Sequence, residues 1–485
     1  MCVISFSCLR GVRSHEILSS LKIFKRSITS NKWLKRKMGN EKLPPHRSNP
    51  IIKKLETPEF KSIFTPELEE LSRLFKKYNF ELRVAGGAVR DIVMGINPKD
   101  LDFATTATPT EMKDLFTKEE VRMINTNGEK HGTITPRIND KMNFEVTTLR
   151  IDVVTNGRHA EVEFTTDWLL DASRRDLTVN SMFLDLEGNV YDYFYGYDDL
   201  MKRRVAFVGD PAERIQEDFL RILRYFRFYG RMAEVAENHD EQTISAIKNN
   251  AEGLGQISGE RIWMEWSKIL SGNFHRELTQ KMIECGCSTY MGLPDSVNLK
   301  HFNEVCLKAH NNGIRLRPVS YVAALLNTEE EFLAVFQRLK FTNFDRNLGL
   351  FLVQYRFKTW SDKPLKPYQR LVLKTIGKVS DMREYINELL RYRGDLHLLE
   401  EFEKWDGHFP INGRMIISHL ESGKNHKVIG DVISRLKDVW LDHDCDMPVE
   451  KLEAQIPSLI AEVQEEMKER SEKMKELKSK KMMRT

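Results

Sequence analysis

The stretch VAGGAVRDIVMGINPKDLD, residues 84–102, decides how the first half of this chain folds. Gly86 and Gly87 separate a short apolar run from a helical pattern that begins near Ala88. Glycines at such a point let the backbone come close to a ligand, and the free N–H groups at a helix start face an anion. Arg90, one turn into the helix, can reach the same anion. The stretch therefore predicts a phosphate-binding turn between a strand and a helix.

Two carboxylates close this stretch. Asp100 and Asp102 are two residues apart, and on an extended segment such residues point to one face. Neighbouring carboxylates repel each other unless a cation lies between them, so the pair predicts a Mg²⁺ site. A phosphate cradle followed by Mg²⁺ ligands indicates phosphoryl or nucleotidyl transfer. Glu145, out of phase with the apolar residues of its predicted strand, is either a third carboxylate of this site or an ordinary solvated residue.

A second polar cluster, RRDLTVNS at residues 174–181, follows a predicted short helix over 167–173. Arg175 offers a planar guanidinium fork that suits phosphate. Asp176 and Asn180 can form hydrogen bonds with ribose hydroxyls, which would favour ribonucleotides. The alternative interpretation is a plain arginine–aspartate pair at a helix end.

Helix starts are marked by a capping residue followed by proline. The segment Thr108–Glu111 predicts a capping box, and Asp210 before Pro211 predicts a long helix that runs as far as Arg227. On that helix Asp218 and Arg221 are one turn apart and can address one base edge, whereas Arg227 drifts away from their face. The alternative is a set of solvated ion pairs at three-residue spacing.

Four ordered segments resemble the motifs of one known family. They are G-G-x-V-R-D with D-x-D, R-R-D-x-T-x-N-S, the aromatic segment at 192–200, and E-D-x-x-R at 217–221. This order resembles class II CCA-adding tRNA nucleotidyltransferases and bacterial poly(A) polymerases, a branch of the superfamily to which DNA polymerase beta belongs. The resemblance spans roughly residues 80–440 and implies an α+β fold. We expect a nucleotidyltransferase head with a mixed β-sheet and helices, followed by an all-α neck, body and tail.

The resemblance also implies an activity and its residues. The activity is template-independent addition of CCA to the 3′ end of tRNA, from CTP and ATP and with release of pyrophosphate. Asp100 and Asp102 would be the catalytic residues and would hold two Mg²⁺ ions, while Arg224 and Arg227 would support the pocket or the triphosphate. The expected nucleotide-binding set comprises Gly87, Arg90, Arg175, Asp218, Arg221, Arg224 and Arg227.

Base choice would follow from hydrogen-bonding edges. Arg221 would donate to N3 and O2 of cytosine or to N1 of adenine, and Asp218 would accept from the exocyclic amine of either base. Uracil and guanine present a carbonyl at the place of that amine, opposite the carboxylate. One bidentate contact of this kind is worth about 1–3 kcal/mol of discrimination.

Three alternatives remain open. A poly(A) polymerase and a partial enzyme that adds only CC or only A belong to the same class of reaction. A noncatalytic RNA-binding protein on the same scaffold belongs to another class. The presence of Asp100, Asp102, Arg175, Asp218 and Arg221 argues against the noncatalytic alternative.

The composition limits the kinds of partner. Lys and Arg number 75 against 71 Asp and Glu, so contact with nucleic acid must come from local basic patches. No apolar run approaches the roughly 18 residues that span a bilayer, so no membrane contact is expected. Six cysteines without a C-x-x-C pair predict reduced thiols. The oligomeric state stays open.

Residues 1–40 differ from the rest, with nine Lys or Arg and one acidic residue. This composition is typical of a mitochondrial transit peptide and hence of the eukaryotic mitochondrial type, although a basic arm without structure is the alternative. Initiation at Met38 would give a second, cytosolic or nuclear form.

In the tail, Lys424, His426 and Lys427 either contact RNA phosphate or belong to a solvated loop. The predicted division is a transit peptide at 1–40, a catalytic head at 45–190, a helical neck with the nucleotide-selecting helix at 191–275, and a tRNA-binding body and tail at 276–485.

Overall fold

The computed structural model describes residues 43–124, 126–156, 159–360, 363–375, 377–420 and 427–482. The predicted transit peptide with Met38 lies outside these residues, as do Lys424 and His426. The chain divides into two compact units, one up to Tyr290 and one from Met291 onward. Across the described residues, no helix is both long and apolar enough to cross a membrane.

A mixed sheet forms the centre of the first unit. Its strands, together with those of a separate hairpin, are β1 (Ile51–Lys54), β2 (Leu82–Ala85), β3 (Asp102–Thr105), β4 (Arg122–Ile124), β5 (Thr133–Ile138), β6 (Met142–Asn143), β7 (Glu145–Thr148), β8 (Arg150–Asn156), β9 (His159–Phe164), β10 (Phe183–Leu184) and β11 (Asn189–Tyr191). The order across the sheet is β1-β11-β10-β2-β3-β7-β5-β4, with β6 paired to β5, while β8 and β9 form the hairpin. Strands β3 and β7 run parallel, and their neighbours pair antiparallel.

The parallel pair β3 and β7 places polar residues in front of an apolar core. Phe103 and Val146 lie opposite each other in the ladder and are buried. The ring of Phe103 meets that of Phe144 edge to face at 5.6 Å between centroids. One step earlier in the ladder, Asp102 lies opposite Glu145, and both are exposed. The two strands therefore bring two carboxylates together at the point where both strands begin.

Helices cover this sheet and continue beyond it. The predicted capping box is confirmed, because the Thr108 hydroxyl accepts a hydrogen bond from the Glu111 backbone and the Glu111 carboxylate accepts one from the Thr108 backbone. The helices of the first unit are α1 (Pro58–Ser62), α2 (Pro66–Lys77), α3 (Gly87–Val93), α4 (Pro109–Lys118), α5 (Trp168–Ser173), α6 (Gly196–Met201), α7 (Pro211–Glu217), α8 (Arg221–Met232), α9 (Glu241–Asn250), α10 (Gly259–Leu270), α11 (His275–Glu284) and α12 (Cys287–Tyr290). Short 3₁₀ helices lie at Thr126–His131, Thr178–Asn180 and Ala251–Gln256.

The predicted long helix after Asp210 is wrong, because α7 and α8 are separate helices. The backbone is extended at Asp218, with φ −150° and ψ 106°. Its carboxylate accepts a hydrogen bond from the Leu220 backbone N–H at 3.1 Å. Phe219 then packs onto Gly253, where a Cβ atom would lie only 2.0 Å from the ring. The break thus depends on a glycine far along the chain, which helical periodicity does not report.

Every regular element of the second unit within the described residues is a helix. This agrees with the predicted all-α body and tail that follow the mixed-sheet head. Its core joins α21 to α23 through buried residues that include Leu436, Trp440, Leu452 and Ile456. The helices are α13 (Leu299–Asn311), α14 (Pro318–Ala324), α15 (Glu329–Leu339), α16 (Asn343–Tyr355), α17 (Lys366–Lys374), α18 (Val379–Arg393), α19 (Leu396–Lys404), α20 (Gly413–Ser418), α21 (Val428–Asp442), α22 (Val449–Glu453) and α23 (Ile456–Met482).

Candidate active site

One cavity of about 1230 Å³ in the first unit collects the predicted site residues. It lies among β2, β3, β7, the start of α3, the segment after α5, and the facing sides of α8 and α10. Asp100 is the one predicted residue that does not line it. The predicted residues that do line the cavity are Gly87, Arg90, Asp102, Arg175, Asp218, Arg221, Arg224 and Arg227.

The carboxylate pair of this cavity is Asp102 with Glu145. Although Asp102 is exposed to the cavity, the surrounding protein partly desolvates its carboxylate. This desolvation, then the charge of Glu145, then that of Asp100 raise the pKa of Asp102 above its usual range. Asp100 lies in a bend at residues 99–100, before β3 begins at Asp102, so the two are not on one strand. Its charge nevertheless acts on Asp102, and its predicted place beside that carboxylate stays a prediction. Of the two interpretations of Glu145, the structure favours a carboxylate beside the site. Within the described residues, no group of three or more His, Cys, Asp and Glu is placed to hold a metal ion.

The glycine turn shapes the end of the cavity that the sequence predicts to bind phosphate, called the phosphate end below. Gly86 has φ +66° and ψ −123°, a conformation that L side chains rarely adopt. A Cβ atom there would lie 3.3 Å from Nη1 of Arg175, whose guanidinium crosses the turn. Gly87 begins α3 with ordinary geometry, and its Cβ would meet the Arg90 guanidinium at 3.6 Å. Sequence reasoning named Gly87, whereas the backbone constraint falls on Gly86.

Arg90 lies inside the protein with 2% of its side chain exposed. Its Nη1 donates to Oδ1 of Asn180 at 2.7 Å, and its Nε and Nη2 donate to Asp91 at 3.1 and 2.9 Å. Arg231 donates to the other oxygen of Asp91 at 2.7 Å. Arg90 therefore links α3 to the segment of Asn180, and its predicted phosphate contact stays a prediction.

Asp176 lies between the phosphate end and helix α8. It accepts a hydrogen bond from Nε of Arg224 at 2.6 Å and one from Nδ2 of Asn180 at 3.3 Å. Burial alone would raise the pKa of Asp176, but the charges of Arg224 and Arg221 outweigh burial and lower it to about 2. Asp176 is therefore a permanent anion near neutral pH that fixes Arg224. Its predicted contact with ribose is not tested by these bonds.

At the other end of the cavity, which the sequence predicts to read the base and which is called the base-reading end below, Asp218 and Arg221 bond with other parts of the protein. Oδ2 of Asp218 accepts from Nη2 of Arg261 at 2.8 Å. Nη1 of Arg221 donates to Oε2 of Glu217 at 2.5 Å and to the Arg214 carbonyl at 2.9 Å. Their predicted helical spacing is wrong because Asp218 is extended and precedes α8. Both nevertheless line the same cavity.

Arg227 also lines the cavity, although it lies further along α8 than Arg221. Its Nη1 donates to Oε1 of Glu265 on α10 at 3.0 Å. The guanidinium lies 4.4 Å from the centre of the Phe228 ring, which Arg90 and Arg224 also approach, at 5.1 and 5.7 Å. The cavity follows the groove between α8 and α10, and the long arginine side chain reaches it from the flank of α8.

Two basic residues of α10, Arg261 and Lys268, line the cavity and were missed by sequence reasoning. They come well after the four motifs, and no local pattern in GERIWMEWSKIL separates them from a solvated helix face. The packing of α10 against α8 brings both residues to the cavity, where Arg261 contacts Asp218.

Comparison with known proteins identifies the family to which this chain belongs. Residues 82–206 match the model of the poly A polymerase head domain, and residues 239–292 match a probable RNA and SrmB-binding site of polymerase A. A mitochondrial CCA tRNA nucleotidyltransferase 1 of Mus musculus is 49% identical over 393 residues, which cover 80% of this chain and 89% of the relative. The chain belongs to the CCA tRNA nucleotidyltransferase family. The predicted membership is confirmed.

Solved structures of this family share the fold. The CCA-adding enzyme of Bacillus stearothermophilus in complex with CTP has a TM-score of 0.63 at 22% identity, over 86% of this chain and all (100%) of that one. The Thermotoga maritima CCA-adding enzyme complexed with tRNA-CCA has a TM-score of 0.60 at 19% identity, over 84% and 99% of the two chains. The α+β fold class, with a mixed-sheet head followed by helical regions, is confirmed.

Adjacent glycines test the phosphate turn. We expect Gly86→Ala to cost about 1–3 kcal/mol of unfolding free energy, because its backbone region is nearly closed to other residues. We also expect it to weaken nucleotide binding, because the new Cβ displaces Arg175. Gly87→Ala is the matched control for backbone strain and should unfold nearly as the wild type does, because the backbone of Gly87 has ordinary helical geometry. Thermal unfolding and CTP titration measure both effects, and equal behaviour of the two variants would contradict the assignment of the constraint to Gly86.

Proposed function

We propose that this chain adds CCA to the 3′ end of tRNA without a nucleic-acid template, taking CTP and ATP and releasing pyrophosphate. The observation that carries the proposal is a single cavity that holds the carboxylates of Asp102 and Glu145 together with Asp218 and Arg221. The first pair suits transfer to a hydroxyl, and the second suits recognition of a base. The names of the related proteins, which refer to CCA, CTP and tRNA, support the choice of substrates.

The carboxylate pair fits divalent cations. Oxygen ligands are those that Mg²⁺ prefers, and a cation would relieve the repulsion that, with burial, raises the pKa of Asp102. We propose that Asp102 and Glu145 hold two Mg²⁺ ions, with Asp100 contributing from the bend beside them. When bound, these ions supply charge stabilisation and activation of the tRNA 3′-hydroxyl. The carboxylates themselves position that hydroxyl and must be ionised to do so.

The cradle of Gly86 and Gly87 offers backbone approach and the N–H groups of α3 to the nucleotide phosphates. Arg175 lies across the turn and can donate to the same phosphates. Arg224 is held by Asp176, and Arg227 by Glu265, so neither needs to be ordered when the nucleotide binds. These contacts are common to CTP and ATP because they involve no base.

Base choice rests on Asp218 and Arg221. The carboxylate of Asp218 has about four lone-pair positions, and Arg261 and the Leu220 N–H use two of them. It can still accept from the exocyclic amine of cytosine or adenine, while the carbonyl of uracil or guanine would face an anion. Arg221 would donate to the adjacent ring acceptor. The helix break at Asp218 supports this reading, since it turns both side chains into one cavity.

A poly(A) polymerase is the second candidate, because the head matches a model described for that enzyme. An assay that supplies one nucleotide at a time separates the candidates. On tRNA without its CCA end, we expect two C additions from CTP alone and a final A only after both. A tail of A residues from ATP alone would support the polymerase instead.

Asp102→Asn and Glu145→Gln test the metal ligands. Both variants should lose at least tenfold in the rate of addition of C and of A, while tRNA binding stays within threefold of the wild type. An active Asp102→Asn would contradict the metal assignment.

Asp218→Ala tests base choice. We expect UTP and GTP to compete with CTP and ATP, because the variant loses both the attraction for an amine and the repulsion of a carbonyl. One bidentate contact corresponds to about 1–3 kcal/mol, so the ratio of kcat/KM between CTP and UTP should fall about tenfold or more. Arg221→Ala is the control, and it should raise KM for CTP and ATP together. Unchanged ratios with a uniform loss of rate would make Asp218 a structural partner of Arg261.

We further propose that the chain acts in mitochondria and that a form starting at Met38 acts in the cytosol or nucleus. The relative from mouse is named as mitochondrial, and residues 1–40 have the charge of a transit peptide. The head at 45–190 would carry out transfer, the neck at 191–275 base selection, and residues 276–485 tRNA binding.

Deletion of residues 1–37 should remove the protein from mitochondria and leave activity in vitro unchanged. Mitochondrial accumulation of the shortened chain would overturn the targeting proposal.

A further inference from the structure

Asp171 is a buried carboxylate behind the cavity wall, with 1% of its side chain exposed. It lies near the end of α5 and receives hydrogen bonds from both arginines that follow this helix. Oδ1 accepts from Nε of Arg174 at 2.9 Å, and Oδ2 accepts from Nε and Nη2 of Arg175, both at 3.1 Å. Oδ1 also accepts from the Arg150 backbone N–H at 3.1 Å. One anion therefore orients two cations and the start of β8.

Spacing along the chain explains this arrangement. Residues three and four positions after Asp171 return to its side at the end of a helix, so Arg174 and Arg175 both face one carboxylate. Parallel donation from Nε and Nη2 fixes the plane of the Arg175 guanidinium. That plane brings Nη1 across Gly86 and within 3.2 Å of the Asn180 carbonyl.

The backbone of the same two arginines reaches the base-reading end. The Arg174 carbonyl accepts from Nη2 of Arg221 at 3.3 Å. The Arg175 carbonyl accepts from Nη2 of Arg214 at 2.6 Å, and Arg214 also pairs with Glu217 at 2.7 Å. Side chains of the Arg174–Arg175 segment thus face the phosphate end, while its carbonyl groups hold the arginines of the base-reading end.

The negative charge of Asp171 is needed to offset the positive charges of the arginines around it. Arg150, Arg174 and Arg175 lie close together, and burial followed by the charge of Arg174 lowers the pKa of Arg150 to about 10. Burial alone would raise the pKa of Asp171, but the charges of Arg174 and Arg175 outweigh it and lower that pKa. Without the anion, the guanidinium groups would repel each other and lose their shared acceptor, at a cost typical of a broken buried pair.

We propose that Asp171 is a positioning residue that aims Arg175 at the nucleotide phosphates and, through the backbone of Arg174 and Arg175, holds Arg221 at the base. The proposal rests on the proposed function, because it assigns Asp171 to the same nucleotide site. Asp171 itself does not line the cavity. Its removal should therefore act on nucleotide binding and leave the tRNA contacts of the protein in place.

The test compares Asp171→Asn with Asp167→Asn. Asp167 caps the same helix α5 by accepting from the Leu169 N–H at 2.8 Å, a bond that asparagine can also accept. We expect Asp171→Asn to raise KM for CTP and for ATP at least tenfold, with a smaller fall in kcat and a tRNA dissociation constant within threefold of the wild type. Asp167→Asn should match the wild type in all of these.

A second variant separates positioning from folding. Asp171→Asn combined with Arg174→Gln removes one of the repelling cations but does not restore the anion that orients Arg175. We therefore expect the double variant to recover thermal stability while its KM for CTP and for ATP stays at least tenfold above that of the wild type. Wild-type KM in a folded Asp171→Asn, or KM that recovers together with stability in the double variant, would overturn the proposal. If the wild type itself adds no nucleotide to tRNA, it is the proposed function that fails.

Discussion

Repulsion among like charges is the constraint on which the first unit depends. Triphosphate recognition needs several guanidinium groups in one cavity, and a cavity that collects cations destabilises its own fold. Here five arginines of the cavity each have an acidic partner, which in four cases comes from a distant part of the chain, so much of the cluster is neutralised before any ligand arrives. The ion pairs are Arg221 with Glu217, Arg224 with Asp176, Arg227 with Glu265, Arg231 with Asp91, and Arg261 with Asp218.

This neutralisation also orders the site in advance. Asp176, with a pKa of about 2, stays ionised across the neutral range and keeps Arg224 in place. The three guanidinium groups around Phe228 gain from the negative face of its ring, which tolerates cations without adding a charge. A long side chain that is already fixed loses little entropy on binding. The incoming nucleotide therefore meets donors that are largely in position.

Local signals in the sequence predicted local structure well, and distant contacts explain where prediction failed. The capping box of Thr108 and the glycine turn involve only a few consecutive residues, so the local sequence pattern was enough to predict both. Glu145 could be placed beside Asp102 only once the parallel pairing of β3 and β7 was known. The partner of Asp218 is on α10, and no spacing within its own motif indicates Arg261. Membership of the family supplied most of the expected site, while the backbone constraint at Gly86 required dihedral angles.

The break between α7 and α8 has a consequence for how this site can vary. Phe219 fits only because position 253 has no side chain, and the extended residue Asp218 directly precedes Phe219. The residues at positions 219 and 253 must therefore change together, because a bulkier residue at 253 has room only where residue 219 is small. The geometry that presents Asp218 is thus specified jointly by two segments, and a chimaera that exchanged one segment without the other would carry an intact motif in the wrong place.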